Sequence, residues 1–358
     1  MKKILVTILI ILIIILATLL GIKIYKEKQV EILGNKENNI QNELIKENEE
    51  QIEIFNGNTR PIAVMIDNVG NARPQAGLND AYMVYEIIVE GQLTRLMALY
   101  KDADLEKIGP IRSSRHYFLD YAIENDAIYV HFGWSPQAKS DINSLNIENV
   151  NGMEESLNSF WRVRDKSSPH NVVTSTEKIL EIAQRKGYNL TSEKESVLNY
   201  VTDEVELEEG AYATSITIPY SSTYKVTYKY DEETKRYTRG YNKTTQKDWE
   251  TDEVITTKNI IITFAKNSVL NDGSGKDRQN LINIGNLDGY YITNGKAIEI
   301  KCYKSSRTVQ TIYKDLEGNE IEVNDGNTFI QIVPTSSKVV IEPGKSKITD
   351  TKIEDTIN

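Results

Sequence analysis

The chain has 358 residues and a formal net charge of −10, which excludes the general electrostatic footprint of a nucleic-acid binder. Its length holds a sizeable core and suggests two domains. One cysteine, Cys302, excludes an intramolecular disulfide and a multi-cysteine metal site.

After Met1-Lys2-Lys3 the chain runs apolar and uncharged for nineteen residues, from Ile4 to Ile22. At ~1.5 Å rise per residue such a helix matches the ~30 Å hydrocarbon core of a bilayer. A cleaved signal peptide has a shorter apolar region and a small-x-small site. The nearest approach is Ala17-Thr18-Leu19, and no cysteine stands nearby for lipidation. Residues 1–24 therefore read as an uncleaved signal anchor, with a cleaved peptide as the alternative. Lysines flank the run on both sides (Lys2, Lys3; Lys23, Lys26, Lys28), so the positive-inside count does not orient it. The short N-terminal tail favours a single-pass membrane protein with its bulk extracytoplasmic. Residues 25–58 are a polar spacer; Ile40, Leu44 and Ile45 form a stripe too short for a convincing coiled-coil stalk.

From Arg60 the character changes. Residues 61–67 form a short apolar run ending in Asp67-Asn68, as a buried strand does. A Gly/Pro-punctuated loop through Asn71 and Arg73 comes next. Residues 82–89 and 93–100 read as two strands joined around Glu90-Gly91-Gln92. The turn Gly109-Pro110 leads to a helix for which Ser113 or Ser114 is the expected N-cap, with Tyr117, Phe118, Tyr121 and Ala122 on its apolar face. Residues 127–132 are a further strand, leaving through His131 toward an N-cap at Ser135 and Pro136 at the first helical position. Thr174-Ser-Thr-Glu177 reads as a capping box before a helix ending at Gly187. Beyond about 190 the pattern is mostly β. Tyr224, Val226, Tyr228 and Tyr230 alternate, as cross-strand packing or as a sugar-stacking surface. The expected fold is α+β: a mixed-sheet α/β domain at 59–200, a β-rich domain at 205–343, and a polar tail at 344–358.

Arginine is distributed unevenly. Of 12 Arg and 30 Lys, residues 60–164 hold seven Arg (60, 73, 95, 112, 115, 162, 164) and three Lys. A planar, permanently charged fork is what bidentate capture of a carboxylate or phosphate needs. Internal pairing with Asp67, Glu86, Glu90 or Asp120 accounts for the same bias. All three histidines, His116, His131 and His170, fall in this domain, beside expected helix starts or strand ends, where anions gather in α/β folds. The candidate ligand-binding residues are Asn71, Arg73, Arg112, Ser113, Arg115, His131, Ser135, Arg164 and His170.

Enzyme motifs are sparse. Gly133-Trp-Ser135-Pro136-Gln137 begins like a nucleophile elbow but lacks its second glycine. Pro136 also has no N–H to offer an oxyanion, which argues against a serine hydrolase. There is no His-Glu-x-x-His; a metal site needs the three histidines to converge with Asp67 or Glu90. No phosphate-loop or dinucleotide fingerprint is present, so no cofactor is expected. Glu86 and Glu90, four apart on one strand, are a weak basis for acid–base work.

Several segments together resemble the YerB-like family of bacterial cell-surface proteins. They are residues 60–68, 72–78, Tyr85-Glu86 through Thr94-Arg95, Ile108 through Arg115, 131–138, and Arg164 through Asn171. The second half is similar through 228–231, Tyr237-Thr-Arg239, Thr293-Asn-Gly295 and 325–334. The resemblance covers about 60–335. It implies a two-part α+β protein, commonly a membrane lipoprotein of Gram-positive bacteria, with no established reaction. This chain departs from it in lacking the lipidated cysteine, and in carrying Cys302 where the family tends to have Trp. The favoured expectation is a membrane-anchored, non-catalytic binding or regulatory module of the cell envelope, its Arg/His site taking an anionic group of a wall component or an envelope protein. The alternative is an envelope hydrolase using the histidines, with or without a metal.

Overall fold

β1 (Ile62–Asp67) is buried at every position. Ile62, Val64 and Ile66 enter one apolar cluster, and Ala63 and Met65 enter another. Successive side chains leave a strand on opposite faces, so a strand covered on both sides is a continuous apolar run. The computed structural model describes residues 51–343, together with Lys23 and Lys28. The anchor expected at 4–22, most of the spacer and the polar tail lie outside the described residues. Among the described residues no helix is long and apolar enough to cross a membrane.

The N-terminal half adds β2 (Met83–Ile88), β3 (Thr94–Tyr100), β4 (Ile128–His131) and β5 (Asn149–Asn151). The C-terminal half supplies β6 (Ser215–Pro219), β7 (Lys225–Asp231), β8 (Arg236–Tyr241), β9 (Asn259–Val269) and β10 (Gln279–Ile282). It continues with β11 (Gly285–Thr293), β12 (Lys296–Lys304), β13 (Ile312–Lys314), β14 (Thr328–Pro334) and β15 (Val340–Glu342). One mixed sheet runs through both halves in the order β13-β12-β11-β9-β14-β2-β3-β1-β4-β5. Its seam is the parallel pairing of β2 with β14, from Met83 opposite Thr328 to Ile87 opposite Ile332. β1, β4 and β5 are mutually parallel, so Asp67, His131 and Asn151 end at the same edge.

Both faces of this sheet are covered. On one lie α1 (His116–Glu124) and α2 (Pro136–Ser144), through Tyr117, Phe118, Leu119, Tyr121, Ala122 and Ile142. On the other lie α3 (Thr176–Arg185), through Ile179, Ile182 and Ala183, and a second sheet containing β8-β7-β6-β15. The expected α+β class holds, with the β-rich half contributing to both sheets. The tyrosine repeat is packing: Tyr228 and Tyr237 are fully buried, and the Tyr230 and Tyr237 rings lie 5.1 Å apart across paired strands.

Two helix starts differ from expectation. The N-cap of α1 is Arg115, without a side-chain cap bond. Ser113 Oγ instead donates to the Phe132 carbonyl, and Ser114 Oγ accepts from the Tyr129 hydroxyl. The N-cap of α3 is Ser175, accepting from Lys178 N at 3.2 Å, because the Thr174 hydroxyl is bound to the Ser159 carbonyl. Ser135 and Pro136 stand as expected, with Ser135 Oγ capping Ala138 N.

A fully buried ion pair joins β2 to the second sheet: Arg239 Nη2 lies 2.6 Å from Glu86 Oε2, both side chains having no exposure. Removing one partner leaves an uncompensated buried charge, at a cost of about 3–5 kcal/mol. Arg239→Ala should therefore lower the unfolding free energy by about that amount in urea titration. A loss below about 1 kcal/mol would contradict the burial of the pair.

Candidate functional site

The segment from Gly109 to His116 is threaded across the carboxyl edge of β1 and β4. Gly109 has φ +139°, and a Cβ there would meet Ile111 N and the Val172 carbonyl at 3.0 Å, so only glycine fits. Backbone bonds hold the residues after it: Asp67 N donates to the Pro110 carbonyl (2.8 Å) and Arg112 N to that of Met65 (2.9 Å). Phe132 N donates to the Arg112 carbonyl (3.0 Å) and Ser114 N to that of Gly133 (2.9 Å). The arginines of this segment are thus presented beyond the ends of parallel strands, where ligands bind in open α/β sheets.

Five charged side chains meet there with His170. Arg112 Nε lies 3.0 Å from Asp67 Oδ2, and His170 Nδ1 lies 2.7 Å from the same oxygen. Arg115 forks onto Glu90, with Nε 2.8 Å from Oε2 and Nη2 bonded to Oε1, and donates through Nη1 to the Ser114 carbonyl. Arg95, opposite Asp67 in the β1–β3 register, donates through Nη1 to the Ser113 carbonyl at 2.5 Å. Its Nη2 is 3.8 Å from Glu90 Oε1. Three guanidinium groups thus face two carboxylates. Arg95 Nε and Arg112 Nε are buried without a hydrogen-bond acceptor; the Arg112 N–H is near Asp67 but not aimed at it. Burial, reinforced by the Arg115 charge, lowers Arg95 to about 10 against the pull of Glu90 and Asp67. Burial would raise Glu90, but the Arg115 hydrogen bond and the charges of Arg95 and Arg115 hold it down to about 2.

The cluster is reachable. The Arg112 side chain is 26% exposed and that of His170 19%, whereas Asp67 is 2% exposed. With its Nδ1 proton donated to Asp67, His170 keeps Nε2 as a nitrogen without a protein partner among the described residues. Ser113 lies beside Gly133, whose missing side chain leaves room for Met153: a Cβ there would sit 2.8 Å from Met153 Sδ and 3.4 Å from Ser113 Oγ.

The other candidate residues go elsewhere. Arg73 is stacked between the rings of Tyr224 and Tyr241, 4.7 and 4.1 Å from their centres, and donates to Asn68. Asn71 and Arg164 are exposed. His131 is fully buried, with Nδ1 2.8 Å from the Gly133 carbonyl and Nε2 3.2 Å from Asn149 Oδ1, and it holds the Gly133 turn. Arg115 and Ser135 line a cleft with His116 on the far side of the segment. Among the described residues no three His, Cys, Asp or Glu side chains gather as a metal cage would require. Glu86 and Glu90 do not share one strand, since β2 ends at Ile88 and Glu90 lies in a following 3-10 turn. The sequence alone marks Asp67 as a pairing partner and assigns no site role to Arg95 or Arg278. The abrupt end of an apolar run in Asp67-Asn68 is the available signal for the first; Arg278 has none.

Two groups, His131 buried and Glu90 half-buried, set a pH response. Burial pushes His131 from 6.5 down to about 4, so the unfolded chain takes up a proton that the folded one refuses. Its contribution is present above about 6.5 and lost as pH falls to about 4, on the order of 3 kcal/mol. Glu90, depressed in the folded state, contributes above about 4.5 and is lost as pH falls toward 2. Urea titrations from pH 7 to pH 4.5 should show falling stability in the wild type and a flatter profile in His131→Gln. An unchanged wild-type profile over that range contradicts a buried neutral His131.

The chain has relatives over most of its length. Residues 48–189 match the N-terminal domain, and residues 216–330 the C-terminal domain, of a protein of unknown function (DUF3048). It is 31% identical over 297 residues to the "Putative lipoprotein YerB" of Bacillus subtilis (strain 168), covering 80% of this chain and 85% of that one. The crystal structure of the Bacillus subtilis YerB protein superposes with a TM-score of 0.71 at 30% identity, covering 79% of this chain and 94% of that one. Both halves and their order are shared: the chain belongs to the DUF3048 family.

Proposed function

We propose that this is an extracytoplasmic binding protein of the cell envelope, tethered to the membrane by residues 4–22, which takes an oxyanion at the Arg112–Arg95–His170 cluster. The observation that carries the reading is the charge imbalance: three guanidinium groups against Asp67 and Glu90, with the Nε donors of Arg95 and Arg112 buried and unsatisfied. A buried donor without an acceptor is costly, and an incoming phosphate or carboxylate supplies one. The relative's description as a lipoprotein and the uncharged run from Ile4 to Ile22 support the location. A wall polymer or an envelope protein bearing phosphate or carboxylate is the fitting partner. Protease added to intact cells should therefore remove the folded part of the chain; protection until the cells are lysed would place it inside.

A charge-assisted hydrogen bond contributes about 1.5–3 kcal/mol, or roughly 10–100-fold in affinity. Calorimetric titration with inorganic phosphate and with a peptide carboxylate such as D-alanyl-D-alanine should show that loss in Arg112→Ala. Equal affinity in wild type and variant would remove the site. One observation favours a second reading, hydrolysis: the Asp67–His170 hydrogen bond orients Nε2 as a base would be oriented. Release of soluble wall fragments that stops in His170→Asn would establish it, and wild-type protein without such release would exclude it.

A further inference from the structure

Ion pairing of the arginines is uneven across the fold. All twelve lie among the described residues, and eight are ion-paired with a carboxylate. The four without one are Arg73, Arg162, Arg164 and Arg236. Arg236 donates to Thr256 and Asn327 instead. The other three stand around the Asp67–Arg112–His170 group, in a chain whose net charge is −10.

Arg162 and Arg164 belong to a hairpin whose strands are Trp161–Arg162 and Val172–Val173. Its tip also carries Lys166 and His170, the latter in a turn closed by His170 N on the Ser167 carbonyl (2.9 Å). From residue 160 to residue 175 the one acid is Asp165. Printed contacts tie this tip to the cluster. The Arg162 guanidinium lies 5.6 Å from the centre of the Phe132 ring, and Phe132 N donates to the Arg112 carbonyl. Lys166 rests 4.1 Å from the centre of the Trp249 ring; Trp249 N donates to the Gln75 carbonyl, and Gln75 Nε2 to that of Asp67. Arg73 donates to Asn68, the neighbour of Asp67.

These charges are positioned but not neutralised. An aromatic face holds a cation in place without discharging it. Arg162 has only the Asn171 side-chain carbonyl as an acceptor. Arg164 is exposed and has no bonding partner among the described residues. Lys166 makes no hydrogen bond or ion pair among them, while Lys107, 4.8 Å from the centre of the same Trp249 ring, is taken by Glu250. In an acidic protein such a patch draws a polyanion to one place and the remaining surface repels it. A single oxyanion accepts from one or two of these groups; a chain with an anion in every repeat meets them in turn. In a phosphate polymer the charge lies in the backbone, whereas an acidic peptide spends side-chain entropy at each contact.

We propose that the hairpin of residues 161–173 is a polyanion track continuing the Arg112 cluster, and that its ligand is a linear polymer with phosphate in every repeat. The proposal rests on the anion-binding reading above and adds that the ligand's charges are many and linked.

The test is calorimetric titration of the full-length chain in detergent with inorganic phosphate, triphosphate, long-chain inorganic polyphosphate, and oligoglutamate of matched charge. Physiological salt screens exposed charges beyond about 8 Å. Wild type is compared with the triple variant Arg162→Gln/Arg164→Gln/Lys166→Gln and with Arg112→Ala. A control, Lys229→Gln/Lys266→Gln/Lys338→Gln, removes equal charge from exposed positions of the C-terminal half. Melting temperatures confirm that each variant folds. Affinity counted per phosphate is expected to rise tenfold or more from inorganic phosphate to the long chain. The hairpin variant should abolish that rise, with inorganic phosphate affinity within twofold of wild type, and the lysine control should keep it. A rise that survives the hairpin variant, a rise lost equally in the control, or no rise at all overturns the track while leaving the cluster standing. Oligoglutamate binding as tightly as polyphosphate overturns the phosphate polymer in favour of an acidic protein segment. Phosphate affinity indifferent to Arg112→Ala overturns the cluster, and the track with it.

Discussion

The carboxylate of Glu86 is the constraint on which the arrangement of the two halves depends. It has no solvent exposure and sits on β2, at the seam where the N-terminal strands meet β14. Arg239 of the second sheet takes one oxygen; Thr94, Tyr224 and Asn68 take the other. A buried charge pair contributes little net stability relative to apolar packing, but separating it is expensive. A shifted seating of the second sheet would leave both charges buried and unpaired. The neighbouring Tyr220 hydroxyl, bonded to the Glu86 carbonyl at 3.0 Å, and Gln246, bonded to Gln75 at 2.9 Å, fix the same seating.

That seating carries over to the site. Asn68 adjoins Asp67 at the end of β1 and is held by Glu86, Thr94 and Tyr224 on one side and by Gln75 and Arg73 on the other. Asp67 is thereby held in place, and with it the oxygen that accepts from His170 and lies 3.0 Å from Arg112 Nε. The roles of the arginines could not pass to lysine. Arg115 needs two parallel donors for Glu90 and a third for Ser114, and Arg95 reaches a backbone carbonyl and a carboxylate at once. An ammonium group offers no fixed fork.

The arginine bias was legible, but most of it turned out to be internal pairing. Of the seven in residues 60–164, Arg60 meets Asp126 and Glu148, Arg95 and Arg115 meet Glu90, and Arg112 meets Asp67, whereas Glu86 and Asp120 are taken by Arg239 and Arg307 from the second half. What remains for a ligand at the cluster is an imbalance rather than a free arginine. Composition cannot register an imbalance, because it depends on which acids come within a few ångströms of which guanidinium groups. Likewise His131, His116 and His170 look alike along the chain. One is buried beneath a turn, one lines a cleft, and one stands at the surface on Asp67.

By itself the sequence determined the local elements: the buried strand at residues 62–67, the strands on either side of Glu90, the Ser135–Pro136 helix start, and the β character of the second half. These come from side-chain periodicity and from the backbone limits of glycine and proline, which act over a few residues. It also carried the family, through many short segments in order. Only the tertiary structure decided that both halves share one sheet, that Glu86 and Glu90 have separate fates, and that a hairpin from residues 270–279 closes a cleft against Arg115. Those outcomes rest on pairings between residues far apart along the chain, where burial and charge balance, not local pattern, select the partner.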